Sequence, residues 1–203
     1  MQNTIVYLIR HSIPVSVVRE DGVRLMYGPS APLSAEGRLK AARLADSLLA
    51  REGKPFDVIY SSTLLRAFET ATIIAEKMGL GPVTTNPGLR DTDSDWGGLP
   101  AEELVQVAKA GQLFSDPRTH ETVAGIAVRM IAAYNQCVKP HPGQTIGIVS
   151  HGDPLRILYD RICYPEEPIP PYEELVRGMN LEVAQGLRLE FFRNGRLESE
   201  VVL

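Results

Sequence analysis

Two histidines and two arginines stand just behind short apolar runs in this chain. Arg10-His11 follows Ile5 to Ile9, Ser150-His151-Gly152 follows Ile146 to Val149, and Ser61-Ser62-x-x-x-Arg66 follows Phe56 to Tyr60. Guanidinium forks and imidazole N–H groups are donors suited to phosphate oxygens, and helix starts offer free backbone N–H groups to the same anions. Taken singly, each residue is ordinary. A histidine at a strand end is more often a hydrogen-bonded structural residue, and a surface arginine is usually solvated or paired. Three such units in one chain favour a phosphate pocket.

The elements that must position these residues follow from the spacing of apolar residues. Ile5-Val6-Tyr7-Leu8-Ile9 and Ile146-Gly147-Ile148-Val149 are continuous runs rich in β-branched residues, the pattern of strands covered on both faces, and Phe56 to Tyr60 is a third candidate. Ser34 can cap a helix whose Ala41, Leu44, Ala45 and Leu48 share one face, and Ser62 can cap a helix over Leu64 to Met78 that Gly79 stops. After the Ile146 run, Asp153 can cap a helix with Pro154 in its first turn. Leu187 to Arg193, Asn194-Gly195 and Leu197 to Leu203 read as a β-hairpin, because Asn-Gly suits a two-residue turn. Strands alternating with helices imply right-handed βαβ units, so the expected class is α/β. The expected architecture has three layers: a mostly parallel central sheet, helices on both faces, and an antiparallel edge near the C-terminus. Arg10, His11, Arg66 and His151 then all fall at the carboxyl ends of strands, the edge where open α/β sheets bind ligands.

Composition narrows the function. The 203 residues are 44% hydrophobic and 23% charged, ordinary for one soluble globular domain over 1–203. A formal charge of −4 argues against a broad nucleic-acid surface, and no apolar run is long enough for a membrane helix. The Ile5 run ends at Arg10 without a small-residue cleavage pattern, which makes the cytoplasm the expected compartment. Cys137 and Cys163 lack metal-ligand spacing, so neither a zinc site nor a disulfide framework is expected, and buried thiols are the simpler reading. Proline-rich Tyr164 to Tyr172 reads as a surface connection, and Gly88 to Pro100 as a loop of functional interest.

Read together, Leu8-Ile9-Arg10-His11, Pro32-Leu33-Ser34-x-x-Gly37, Ser61-Ser62-x-x-x-Arg66-Ala67-x-x-Thr70-Ala71 and Ser150-His151-Gly152 resemble the histidine phosphatase superfamily, in its phosphoglycerate mutase-like branch. The resemblance runs in order from Ile5 to about Leu158, takes in Leu89-Arg90-Asp91 and Trp96-Gly97-Gly98, and extends to Glu121-Thr122 with Arg129. It implies His11 as phosphoryl acceptor, Arg10 and Arg66 as clamps on the phosphate oxygens, His151 as a stabiliser of the transferring group, and Asp91 as proton donor. No cofactor and no metal are implied. The implied partner is a small phosphomonoester, with no nucleic acid or membrane, and nothing decides between a monomer and a homodimer. Phosphoryl transfer asks mainly for in-line positioning and positive charge around three equatorial oxygens, which these side chains supply. The attacking nitrogen must be unprotonated while an acceptor such as a backbone carbonyl holds the other ring nitrogen. A carboxyl next to a phosphate dianion, or partly out of water, is raised in pKa, as a proton donor requires.

The chain departs from the family pattern in places. Ser12 stands where relatives usually have glycine, and its hydroxyl either binds the phosphate or crowds the site. The acid-bearing loop is one residue short, and Thr119-His120 replaces a Gly-Gly before Glu121. Asp93, Asp95 and Asp153 are weaker candidates for the proton donor, and His120 and His141 read as surface residues. Trp96 either stacks on a ligand or anchors its loop. Three functions stay open: a phosphomonoesterase as the leading one, a phosphoglycerate mutase, and a catalytically impaired phospholigand-binding module.

Overall fold

The computed structural model describes residues 3–178, 180–192 and 197–202. In chain order the elements are β1 (Thr4–Arg10), a two-stranded ribbon of β2 (Val17–Val18) and β3 (Arg24–Leu25), α1 (Ala35–Glu52), β4 (Val58–Ser61), α2 (Leu65–Met78) and β5 (Thr84–Thr85). A 3-10 turn (Pro87–Leu89) leads to α3 (Ala101–Lys109), α4 (Val123–Val138), β6 (Thr145–Ser150), α5 (Gly152–Cys163), α6 (Tyr172–Gly178), β7 (Gly186–Phe191) and β8 (Leu197–Val202).

The main sheet has the order β5-β4-β6-β1-β7-β8. β5, β4, β6 and β1 run parallel, while β7 pairs antiparallel with β1 and with β8. The expected hairpin is therefore an antiparallel extension of a parallel sheet; its turn, Asn194-Gly195, lies outside the described residues. β1 sits in the middle, and its alternation divides the core. Ile5, Tyr7 and Ile9 pack with Leu44, Ala45 and Leu48 of α1 and Ala67, Ala71 and Ile74 of α2. Val6 and Leu8 face the other way, with Ile126 and Met130 of α4 and Leu155 and Leu158 of α5. A strand buried on both faces needs no polar alternation, which is why β1 and β6 read as continuous apolar runs.

Two expected caps are corrected. Ser34 does cap α1, accepting from the Gly37 N–H at 3.0 Å, but Ser62 does not cap α2: the capping position is Leu64, with no side-chain bond. Likewise His151 occupies the capping position of α5, and Asp153 lies inside the first turn with its carboxylate turned to Arg156 and Tyr172. Of the cysteines, Cys137 is buried as expected and Cys163 only partly. No helix among the described residues is long and apolar enough to cross a membrane.

Candidate active site

The carboxyl ends of β1, β4 and β6 bring Arg10, His11, Arg66 and His151 together. His11 continues β1, its N–H donating to the Ser150 carbonyl at 2.9 Å, and its ring is 1% exposed. The His11 Nδ1 lies 2.7 Å from the carbonyl of Ser12. A carbonyl only accepts, so Nδ1 carries the proton and Nε2 keeps its lone pair. This is the orienting acceptor that phosphoryl transfer requires. Burial first, then the neighbouring Arg66 and Arg10 cations, lower the His11 pKa to about 4, so the ring is neutral near pH 7.

His151 begins α5 with a fully buried ring whose centroid is 5.1 Å from that of His11. Its Nε2 pairs with the Ser62 hydroxyl at 2.9 Å, and Ser62 Oγ also accepts from the Leu64 N–H. The serine expected to cap α2 thus orients a histidine of the site. The other nitrogen of His151, Nδ1, is 3.4 Å from Asp91 Oδ2 and has no hydrogen bond among the described residues. Burial is the main cause that holds His151 well below the ordinary histidine range.

Arg66, 3% exposed in the first turn of α2, donates from Nη2 to Asp91 Oδ2 at 2.7 Å and lies over the Tyr27 ring at 4.8 Å. Arg10 donates from Nη1 to the Leu181 carbonyl, and its guanidinium passes against Gly152, where a Cβ would lie 3.2 Å from Cζ. Both arginines bury Nε without a hydrogen-bond partner among the described residues. A buried charged donor left unpaired is costly, and a bound anion would satisfy both.

Asp91 lies beside this group, with Oδ1 accepting from the Thr92 N–H. Burial raises its pKa, but His151, Arg66 and His11 and the Arg66 hydrogen bond outweigh that and bring it down to about 2. The raised carboxyl expected of a proton donor is therefore not what these neighbours give. Arg129 fixes the Asp91 loop: its guanidinium donates to the carbonyls of Gly88, Arg90 and Asp91 and to both oxygens of Glu121. Glu121 in turn accepts from the Asp93 N–H.

Ser12 is not brought to the phosphate region. Its hydroxyl donates to the Gly37 carbonyl at 2.7 Å and its N–H donates to Thr70 Oγ1, so it ties β1 to α1 and α2. At Gly37 a Cβ would fall 2.1 Å from the Ile13 carbonyl oxygen, which explains the glycine of the Pro32-Leu33-Ser34-x-x-Gly37 motif. His120 pairs with Asp95 at 3.1 Å, and His141 pairs with the Tyr60 hydroxyl and Gln144. Trp96 is 4% exposed, donates to Thr119 and carries Arg118 over its ring at 3.8 Å, so it anchors its loop while lining the cavity. The cavity in front of Arg10, His11 and Arg66 measures about 470 Å³. Sequence reasoning missed its walls at Met26, Tyr27, Leu104 and Leu113. An aromatic residue before Gly28-Pro29, just ahead of the Pro32 motif, is the one signal that could have found Tyr27.

The fold and this geometry define an α/β protein with a buried imidazole beside two arginines in a cavity at the carboxyl edge of its sheet. The chain belongs to the histidine phosphatase superfamily, branch 1, whose family model matches residues 6–173. Phosphoglycerate mutase-like protein 4 of Arabidopsis thaliana is 36% identical over 138 residues, covering 64% of this chain; the chain spans 59% of that relative's length. A 2,3-bisphosphoglycerate-dependent phosphoglycerate mutase of Methylorubrum extorquens is 29% identical over 66% of this chain and 69% of its own. Among solved structures, Bacillus stearothermophilus YhfR superposes with a TM-score of 0.75 at 27% identity, covering 96% of this chain and 94% of its own. The mycobacterial glucosyl-3-phosphoglycerate phosphatase does so with a TM-score of 0.74 at 23% identity, covering 96% of each chain, a likeness of fold.

Proposed function

We propose that this protein hydrolyses phosphomonoesters by way of a phosphohistidine on His11. The observation that carries the reading is a neutral, buried His11 with Nδ1 engaged by the Ser12 carbonyl, set beside two arginines whose buried Nε groups have no hydrogen-bond partner among the described residues. Arg10 and Arg66 clamp the phosphate, and His151 Nδ1 supports the transferring group once it carries a proton. His11 Nε2 attacks phosphorus, the P–O ester bond breaks, and the leaving oxygen takes a proton from Asp91. Water then attacks the phosphohistidine, gives its proton back to Asp91, and releases inorganic phosphate with His11 restored.

Asp91 can serve as donor because the ligand changes its surroundings. An incoming dianion takes over the Arg66 hydrogen bond and adds negative charge beside the carboxylate, and both raise its pKa. Positive charge comes from side chains, so the proposal is of metal-independent chemistry. It treats 1–203 as one histidine phosphatase-like domain, in keeping with two apolar cores that share one sheet. A reducing compartment such as the cytoplasm fits the buried Cys137 thiol.

The test is rapid quench with a radiolabelled phosphomonoester in the presence of chelator. A hydrolase forms labelled phosphohistidine and then inorganic phosphate. A mutase retains the label until an acceptor arrives, and a binding module never acquires it. His11→Ala should fold normally and lose both label and turnover. Near-normal hydrolysis by the folded variant, or activity that disappears with chelator and returns with a divalent ion, would sink the proposal.

A further inference from the structure

Beyond the phosphate clamp, the cavity wall is unusual in its charge. Asp91, Asp93 and Asp153 line it, whereas Arg90 is its single cation besides Arg10 and Arg66. Arg90 is already drawn to Glu121, with 3.6 Å between their charged atoms. An ester whose leaving alcohol bears a carboxylate or a second phosphate would thus bring negative charge up to Asp153, with Asp93 at the rim adding to the repulsion. The rest of the outer wall is apolar, from Met26, Leu104 and Leu113.

Asp153 is held for a task. Its Oδ1 accepts from Arg156 Nη1 at 2.7 Å and from the Tyr172 hydroxyl. Arg156 is itself anchored by Asn180 Oδ1 at 2.9 Å. These bonds fix the carboxylate plane and use one of its oxygens. Oδ2 has no hydrogen-bond partner among the described residues and is the oxygen left to the cavity that Asp153 lines. The residue directly follows Gly152, against which the Arg10 guanidinium packs, so this acceptor stands next to the phosphate clamp. A carboxylate in the first turn of α5 suits the helix dipole, but neither that nor the bonds to Arg156 and Tyr172 engage Oδ2.

We propose that Asp153 is a specificity-determining residue: its Oδ2 accepts a hydrogen bond from a hydroxyl or ammonium on the leaving alcohol. The enzyme thereby selects phosphomonoesters of neutral or cationic alcohols against those of acidic ones. This rests on reading the cavity as a phosphomonoester site. A missing donor leaves the carboxylate oxygen desolvated and unpaired, which is the larger part of the discrimination.

The experiment compares kcat/KM for glycerol phosphate and phosphoethanolamine, which carry a donor, with phosphoglycolate and 3-phosphopropionate, which carry a carboxylate and no hydroxyl or ammonium. Nitrophenyl phosphate reports whether the phosphohistidine chemistry operates at all. The wild-type chain should favour the donor-bearing esters by roughly tenfold or more. Asp153→Asn keeps the shape and an oxygen for Arg156 and Tyr172 but turns an amide donor toward the cavity. Its ratio should move by about tenfold or more toward the acidic esters, which loss of packing alone would not produce. Preference of the wild type for the acidic esters overturns the proposal whatever the variant does, as does an unmoved ratio in a folded Asp153→Asn. Failure to turn over nitrophenyl phosphate or any other ester would overturn the phosphomonoesterase reading, and this proposal with it.

Discussion

In the proposed reaction Asp91 meets two influences, Arg66 and an incoming phosphate, and they push its carboxyl in opposite directions. Beside Arg66, 2.7 Å away, it is a carboxylate with a pKa of about 2. On that proposal its charge competes with the phosphate for Arg66, and it serves as an acid only once displaced. Asp91→Asn should accordingly show two opposed effects. Inorganic phosphate should inhibit the variant at lower concentration, because Arg66 no longer has a charged partner to give up. Turnover of alkyl phosphates should fall by roughly 10²–10⁴-fold, and that of nitrophenyl phosphate much less, since nitrophenolate leaves without a proton. Equal losses on both substrates would remove Asp91 from the proton-donor role.

At the scale of elements, the site is assembled from parts that differ in how they reveal themselves. β1 and β6 were legible because strands buried on both faces are continuous apolar runs, and β4, whose burial alternates, because Val58, Ile59 and Tyr60 suit a strand; the residues at their ends stand out by contrast. α4 was not read: Val123–Val138 carries apolar residues around most of its circumference, which blurs the helical period. The consequence reaches the site, because Arg129 on α4 is what holds the Asp91 loop, and its partners lie 38–41 residues earlier in sequence. Ser62 and Ser12 were misread because only the fold shows what their hydroxyls meet. Ser62, a good cap by local rules, pairs with His151, and Ser12, expected at the phosphate or crowding it, donates to the Gly37 carbonyl. Arg129→Lys keeps the charge but cannot reach three carbonyls and a carboxylate as a planar fork does. It should cost about 1–3 kcal/mol of stability. It should also lower alkyl phosphate turnover about tenfold relative to nitrophenyl phosphate, a weaker copy of the Asp91→Asn signature. A loss of stability with no change in that ratio would make Arg129 purely structural.

For the whole molecule, a site made of two buried neutral histidines sets the response to acid. An unfolded chain takes protons on both as pH falls through about 6.5, while the folded chain resists, His11 down to about 4. The unfolded state therefore binds more protons in that window. Stability is complete above about pH 6.5 and declines as pH drops, by up to about 1.4 kcal/mol per unit for each histidine. Asp153, whose pKa is raised by burial, opposes this in part. Denaturant unfolding measured from pH 7.5 to 5 should show the decline, and His11→Gln should flatten it; a level profile in the wild type would contradict it.

The central place of β1 also governs which parts of the site can open to solvent by themselves. The amides of Arg10 and His11 donate to Gln185 and Ser150 on either side, within a strand covered by both cores. Exposing them means parting β1 from a neighbour, so their hydrogens should exchange with deuterium only when the whole domain unfolds. The Thr92 amide is bonded only to its neighbour's carboxylate, at the edge of the cavity, and can exchange through a local opening. The proposed nucleophile and the proposed acid would then belong to different units of cooperativity, the one as durable as the fold and the other as durable as the loop that Arg129 ties down.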